Sequence, residues 1–257
     1  MKKRLIWIIT ACVLAVALIA GLIVYFAVLR PKQLEQAQFA QAVQAYRAEK
    51  SQKYQAENDQ RSDFEVDVAF IGDSLTDGYD LEKYYPQFVT ANRGIGGDTT
   101  FDLENRLEES VYALKPKVVV MLIGANNMDT MFENYESILI GLRDNLPDSK
   151  VVLLSLTAMG GEHWGRKNQL AAYNNVTIKL LAEKYGFTFV DLFSPLYDVT
   201  TREVYEGYTV DGGHFTHEGY TVITAIVTPV LEELLQDHIL KKRMALMKEH
   251  PIDMIMR

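Results

Sequence analysis

The stretch Val66-Asp67-Val68-Ala69-Phe70-Ile71-Gly72-Asp73-Ser74-Leu75-Thr76 decides how this chain is read. Its first half is a short apolar run, rich in β-branched residues and closed by a glycine, which predicts a buried strand. Its second half turns polar at once and places Ser74 where a strand hands over to a helix. Working outward, similar runs occur at residues 117–123, 150–156 and 188–192, with a weaker one at 89–95. Longer segments with helical periodicity lie between and after them, at 99–114, 131–146, 166–185 and 216–236. Strands without internal polar alternation, separated by helices, predict an α/β class with a parallel sheet covered on both faces. In such sheets ligands sit beyond the carboxyl ends of the strands, so chemistry is expected just after each run.

Four polar blocks occupy such positions. The first run leads into Gly72-Asp73-Ser74-Leu75-Thr76, the weak one into Gly94-Ile95-Gly96-Gly97-Asp98-Thr99-Thr100, and the next into Gly124-Ala125-Asn126-Asn127; Asp211-Gly212-Gly213-His214 stands ahead of the last helix. A serine hydroxyl becomes a nucleophile when a base takes its proton, and neutral histidine suits that task near pH 7. Ser74 and His214 supply the pair. Asp211 precedes His214 by three residues, so a turn can set its carboxylate against Nδ1, fixing the tautomer and stabilising the imidazolium. The Ser74 N–H, the Gly97 N–H and the Asn126 amide are the candidate donors for a developing oxyanion. Each has a simpler reading: Ser74 as a helix N-cap, Gly97 as a turn, Asn126 as a loop bridge. Asp73 and Asp98 read as caps or braces. Asp211, His214 and His217 have the look of metal ligands, but helical zinc pairs prefer i, i+4 spacing and no Cys or further ligand is clustered with them, so no metal or cofactor is expected.

The four blocks, in this order and at these strand ends, resemble the GDSL (SGNH) hydrolase family over about residues 66–235. The resemblance implies a flavodoxin-like, three-layer α/β/α fold with a five-stranded parallel sheet. It also implies Ser74 as nucleophile, His214 as base, Asp211 as its partner, and Ser74, Gly97 and Asn126 as the oxyanion hole. Asn127 stands where many members have Asp. The wording of the second and third blocks is most similar to the acetylhydrolase-like branch, which processes small acyl esters. The expectation is a lipase-like serine esterase acting through an acyl-enzyme on short acyl, or acetyl, esters of a cell-surface glycan or lipid. An acyltransferase using the same acyl-enzyme, and an idle binding module, are the alternatives.

Other motif classes fail on residues. Thr76 occupies the last glycine of G-x-S-x-G, Thr99 the third glycine of a dinucleotide fingerprint, and no Gly-Lys-Ser/Thr occurs. The loop 157–167 holds His163 and Trp164, candidates for contact with substrate, Trp164 offering a flat face to a sugar or acyl group.

Residues 5–29 are uncharged, and as a helix they reach roughly 37 Å, more than the ~30 Å hydrocarbon core. They are longer than a signal-peptide core and run into Arg30-Pro31, which predicts an uncleaved anchor in residues 1–30. Ile9-Thr10-Ala11-Cys12 imitates a lipoprotein site, but too few apolar residues precede the cysteine. As the lone cysteine, Cys12 excludes an internal disulfide. Lys2, Lys3 and Arg4 slightly outweigh the opposite flank and place the main body outside the cytoplasm. Residues 31–62 read as a helical stalk or as the first helix of the domain, 63–240 as the hydrolase domain, and 241–257 as a basic tail that is solvated or touches an anionic membrane. Residues 33–257 carry a net charge of −13, which argues against nucleic-acid binding.

Overall fold

The computed structural model describes residues 2–249, without the side chains of 237–249 and of a few residues in the first helix. Two compact units are present, Met1–Lys50 and Ser51–Arg257. The first holds α1 (Lys2–Val24), a π-helical turn at Tyr25–Leu29 and the start of α2 (Arg30–Asn58). The helical stretch Val13–Asn58 is long and apolar enough, by length and composition, to cross a membrane, and apolar side chains toward its start, among them Val13, Leu14 and Leu18, are exposed.

The second unit is the α/β body. Its parallel sheet contains β1 (Val68–Gly72), β2 (Thr90–Gly94), β3 (Val118–Leu122), β4 (Lys150–Leu154) and β5 (Thr188–Val190), in the order β2-β1-β3-β4-β5. The helices are α3 (Ser74–Asp77), α4 (Leu81–Tyr84), α5 (Thr100–Glu104), α6 (Tyr135–Asn145), α7 (Gly161–Trp164), α8 (Asn168–Tyr185), α9 (Phe193–Leu196) and α10 (His217–Glu249). A two-stranded ribbon, β6 (Tyr197–Asp198) and β7 (Glu203–Val204), follows α9.

Every residue of β1 and of β3 is buried, as the unbroken apolar runs require of strands covered on both faces. Successive side chains alternate between two cores. Ala69, Ile71, Val119 and Met121 pack with Leu103, Leu139 and Ile178 from α5, α6 and α8, while Val68, Phe70, Val118 and Val120 pack with Leu75, Leu81 and Ile223 from α3, α4 and α10. This is the three-layer arrangement expected. Because β2 lies on one side of β1 and β3 on the other, the winding reverses between β1 and β3, opening a crevice at their carboxyl ends.

The helical periodicity at 99–114 resolves into α5, with a Thr99–Asp102 capping box, and a separate π-helical turn at Glu108–Tyr112. The segment with two readings, 31–62, is helical to Asn58. Its last turns belong to the second unit: Tyr54 and Asn58 are buried, and the Tyr54 hydroxyl donates to the Gly94 carbonyl at 2.7 Å. The reading of 241–257 as a membrane-touching tail lies outside the described side chains.

Candidate active site

Ser74 is the first residue of α3, directly beyond β1. Backbone N–H groups in a first helical turn have no partner within the helix, so its own N–H is available to a ligand. Asp73 caps the turn, its Oδ1 accepting the Leu75 N–H at 3.1 Å. The simple reading of Ser74 as the cap is thereby replaced: the residue before it caps, and Ser74 points its hydroxyl at His214, with 2.9 Å between Oγ and Nε2.

His214 reaches this position through its own turn. The Asp211 Oδ1 accepts the backbone N–H groups of Gly213 and His214 at 2.9 and 2.8 Å, and its Oδ2 lies 2.7 Å from His214 Nδ1. Partial desolvation pushes the Asp211 carboxyl up, but the His214 N–H, the His214 ring and the Gly213 N–H outweigh it and bring the pKa down to about 2. The carboxylate is therefore ionised throughout the neutral range, as a partner that orients imidazole must be. Gly212 is required in this turn: its φ is +88°, and a Cβ there would meet the Gly160 carbonyl oxygen at 1.9 Å. The Gly160 N–H donates back to the Gly212 carbonyl at 2.8 Å, which docks the 157–167 loop against the Asp211–His214 turn.

Asn126 lies beyond β3, across the crevice. Its Nδ2 donates to the Asp98 carbonyl at 2.9 Å, tying it to the loop that carries Gly97. Gly97 has φ +79° with open space where a Cβ would project, so backbone conformation and not crowding selects glycine there. Asn127 does local work: its Oδ1 accepts the Thr100 N–H at 3.2 Å and its Nδ2 donates to Thr100 Oγ1 at 2.9 Å.

Ser74, Asn126, Trp164 and His214 line one cleft, together with Leu75, Ala125 and Met159. Trp164 stands edge-on to the His214 ring, 6.3 Å between centroids. His163 is not among the lining residues and instead packs edge-on against Trp164. His217 is exposed on α10 and pairs with the Tyr84 hydroxyl; no cluster of metal-ligating side chains is found among the described residues. A wider groove between α8 and β5, lined in part by Lys179, Phe187 and Phe189, contains none of the expected site residues.

Asp73 and Asp98, read as caps or braces, are buried behind the cleft; the Oδ2 of Asp73 has no partner among the described residues. Sequence reasoning missed Arg106, which forms an ion pair with Asp98, 2.7 Å from Nε to Oδ2. Arg106 had a legible signal, since it shares the helical face of Leu103, Leu107 and Ser110, where a charge needs a partner.

A parallel sheet of this strand order, with a serine, a histidine and an aspartate in hydrogen-bonding series at its winding reversal, defines a serine hydrolase of the α/β class. The comparisons with known proteins make this specific. The model of the GDSL-like Lipase/Acylhydrolase family matches residues 70–222, so the chain belongs to that family and is a carboxylic ester hydrolase. It is 27% identical over 193 residues to the platelet-activating factor acetylhydrolase IB subunit alpha2 of Homo sapiens, covering 68% of this chain and 80% of that protein. It is 28% identical over 185 residues to the alpha1 subunit of Bos taurus, covering 68% and 79%. Among solved structures, a GDSL-like lipase of Bacteroides thetaiotaomicron is similar at TM-score 0.63 and 26% identity, covering 71% of this chain and 97% of that one. The acetylxylan esterase Axe2 of Geobacillus stearothermophilus, at TM-score 0.53 and 22% identity over 66% of this chain and 95% of its own, shares the fold.

Proposed function

We propose that the protein is a membrane-anchored serine esterase that removes short acyl groups, acetyl foremost, from a cell-surface glycan or lipid. The observation that carries this reading is the unbroken series Asp211–His214–Ser74, opening on the cleft that Asn126 and Trp164 line. Relatives named for acetyl removal, the platelet-activating factor acetylhydrolases and the acetylxylan esterase, support the acyl length. They act on a lipid and on a glycan respectively by those names, so the alcohol part stays as broad as that pair.

His214 Nε2 takes the Ser74 proton as Oγ attacks the acyl carbonyl. The carbonyl oxygen becomes an oxyanion facing the Ser74 N–H, the Gly97 N–H and the Asn126 amide, whose second N–H remains for it after the bond to Asp98. The imidazolium, stabilised by ionised Asp211, returns its proton to the leaving alkoxide, and the acyl-enzyme forms. Water then enters, gives its proton to His214 and attacks the ester carbonyl; collapse releases the acid and restores Ser74. Trp164 forms one wall of the cleft and supplies an apolar face for the substrate.

The apolar segment 5–29 acts as an uncleaved anchor with the esterase domain, residues 63–240, outside the cytoplasm. Its support is length and composition. Protease added to intact cells then releases a fragment that begins between residues 32 and 61; complete protection until lysis reverses the orientation.

The chemical reading is tested with p-nitrophenyl acetate, whose good leaving group makes few demands on fit. Ser74→Ala and His214→Ala each lower kcat by at least ~10³, and the double variant is little worse than either single one. Asn126→Ala costs about 10² to 10³. Wild-type protein that neither turns over acetyl, butyryl or octanoyl esters nor reacts at Ser74 with a fluorophosphonate refutes it.

A further inference from the structure

Arg106 places a full guanidinium in the interior, 6% exposed, against Asp98, which is fully buried. Besides the Asp98 carboxylate, it has three acceptors. Nη2 donates to the Gly72 carbonyl at 2.9 Å, and Nη1 donates to the Arg93 carbonyl and to Ser110 Oγ at 2.8 and 2.7 Å. Gly72 ends the strand that delivers Ser74, two residues later. Arg93 is in the strand that delivers the Gly97 loop. Asp98 adjoins Gly97, and its carbonyl accepts the Asn126 amide. One planar group thus ties together the supports of Ser74, Gly97 and Asn126.

We propose that Arg106, acting through Asp98 and the Gly72 and Arg93 carbonyls, is the positioning residue that sets the spacing of the three oxyanion donors. The inference rests on the reading of Ser74, Gly97 and Asn126 as the acyl-transfer site. The chemistry of the pair supports it. Burying two charges incurs a desolvation cost that their attraction often only offsets, and a well-packed apolar pair of similar volume serves stability as well or better. What leucine at 106 would not supply is a rigid fork of donors with directions fixed to several acceptors at once. That property matters where two strand ends and a loop must be held to a few tenths of an ångström, and a misplacement of about 1 Å costs on the order of 10² in rate.

The test uses the full chain in detergent and three variants. Arg106→Lys keeps the charge and loses the fork, Asp98→Asn keeps the shape and loses the charge, and Arg106→Ala opens a site for free guanidinium ion. Turnover of p-nitrophenyl acetate is measured with the inhibition constant of a short alkylboronic acid, whose tetrahedral adduct on Ser74 places an oxygen in the oxyanion hole, and with the melting temperature. Arg106→Lys and Asp98→Asn should lower kcat by about 10- to 100-fold, leave KM within about threefold, and weaken boronate inhibition by the same factor as kcat. Millimolar guanidinium should restore part of the kcat of Arg106→Ala without affecting wild type. A lowered melting temperature with kcat and boronate affinity within threefold of wild type makes the pair structural only and overturns the proposal. If Arg106→Ala fails to fold, the two conservative variants still decide. Wild-type turnover that Ser74→Ala abolishes but Arg106→Lys leaves intact sinks this inference alone, whereas a wild type with neither turnover nor fluorophosphonate labelling overturns the esterase reading with it.

Discussion

Replacing Asp73 by asparagine tests the electrostatics directly beneath the nucleophile. Asp73 is 1% exposed; Oδ1 caps α3 through Leu75, and Oδ2 has no partner among the described residues. Burial pushes its pKa up to about 7; neighbouring Asp98 pushes the same way, and the Leu75 N–H, His214 and Arg106 pull against them. The folded chain therefore keeps a proton on Asp73 that the unfolded chain gives up near 3.8. The sign follows from linkage: the stability held by the neutral carboxyl is complete below about pH 4, is lost as pH rises toward about 7, and changes little beyond. A shift of about 3 pKa units at about 1.4 kcal/mol each sets a ceiling of about 4 kcal/mol, of which about 2 to 3 kcal/mol falls between pH 5 and pH 8. Asparagine has the shape of the neutral acid, retains the capping oxygen and does not titrate. The Asp73→Asn variant should therefore gain on wild type by about 2 to 3 kcal/mol from pH 5 to pH 8. For a chain of this size that is a relative rise in melting temperature of roughly 5 to 10 °C. Thermal unfolding of both proteins, followed by near-ultraviolet circular dichroism at the two pH values, measures the difference, and other titrating groups cancel between them. A melting-temperature difference equal at pH 5 and pH 8 would refute the reasoning, because it would mean that Asp73 is ionised in the folded chain at both, as it is in the unfolded chain.

Two further outcomes rest on particular contacts. Gly212→Ala drives a Cβ into the Gly160 carbonyl, 1.9 Å away, at a φ of +88°, so the turn that carries Asp211 and His214 has to shift; kcat for p-nitrophenyl acetate should fall by more than about tenfold, and retention of wild-type kcat would show that the two loops are not docked. Tyr54→Phe deletes the buried hydrogen bond to the Gly94 carbonyl while keeping the ring beneath the Arg93 guanidinium, 4.6 Å from its centroid. It should cost about 1 to 2 kcal/mol by urea denaturation, and an unchanged midpoint would mean that the last turns of α2 do not pack on the sheet.

The arrangement explains how a polar, solvent-accessible reaction is run from an apolar sheet. The sheet and its two cores hold strand ends in place, and every group expected to touch substrate lies past those ends. Ser74 follows β1 and Asn126 follows β3, one on each side of the winding reversal. His214 is brought in from the segment ahead of α10 and is oriented by bonds within its own turn, against which the 157–167 loop docks through Gly160.

The amino-acid sequence determined by itself whatever depends on local pattern. Unbroken apolar runs marked the central strands β1 and β3 because burial on both faces leaves no position for a polar residue, whereas the edge strand β2, with Thr90, Asn92 and Arg93, gave a weaker signal; the Asp211–His214 relation was legible because a three-residue spacing closes within one turn. Three of the polar blocks stood out since each closes an apolar run where a helix or turn begins, and the fourth because it stands directly ahead of the last helix. The 99–114 segment was legible as helical but not as a short helix followed by a π-helical turn, for periodicity does not resolve where hydrogen-bond spacing changes. Only the tertiary structure decided the rest. Strand order puts β1 beside β3, and the packing of α10 on the core that holds α3 closes the 140-residue separation between Ser74 and His214. Packing removes water from Asp73, joins Arg106 to acceptors on two strand ends, and seats Tyr54 under Gly94. Desolvation and ion pairing depend on which distant segments exclude solvent from a group, and that information is held by the folded contacts and by no single window of the chain.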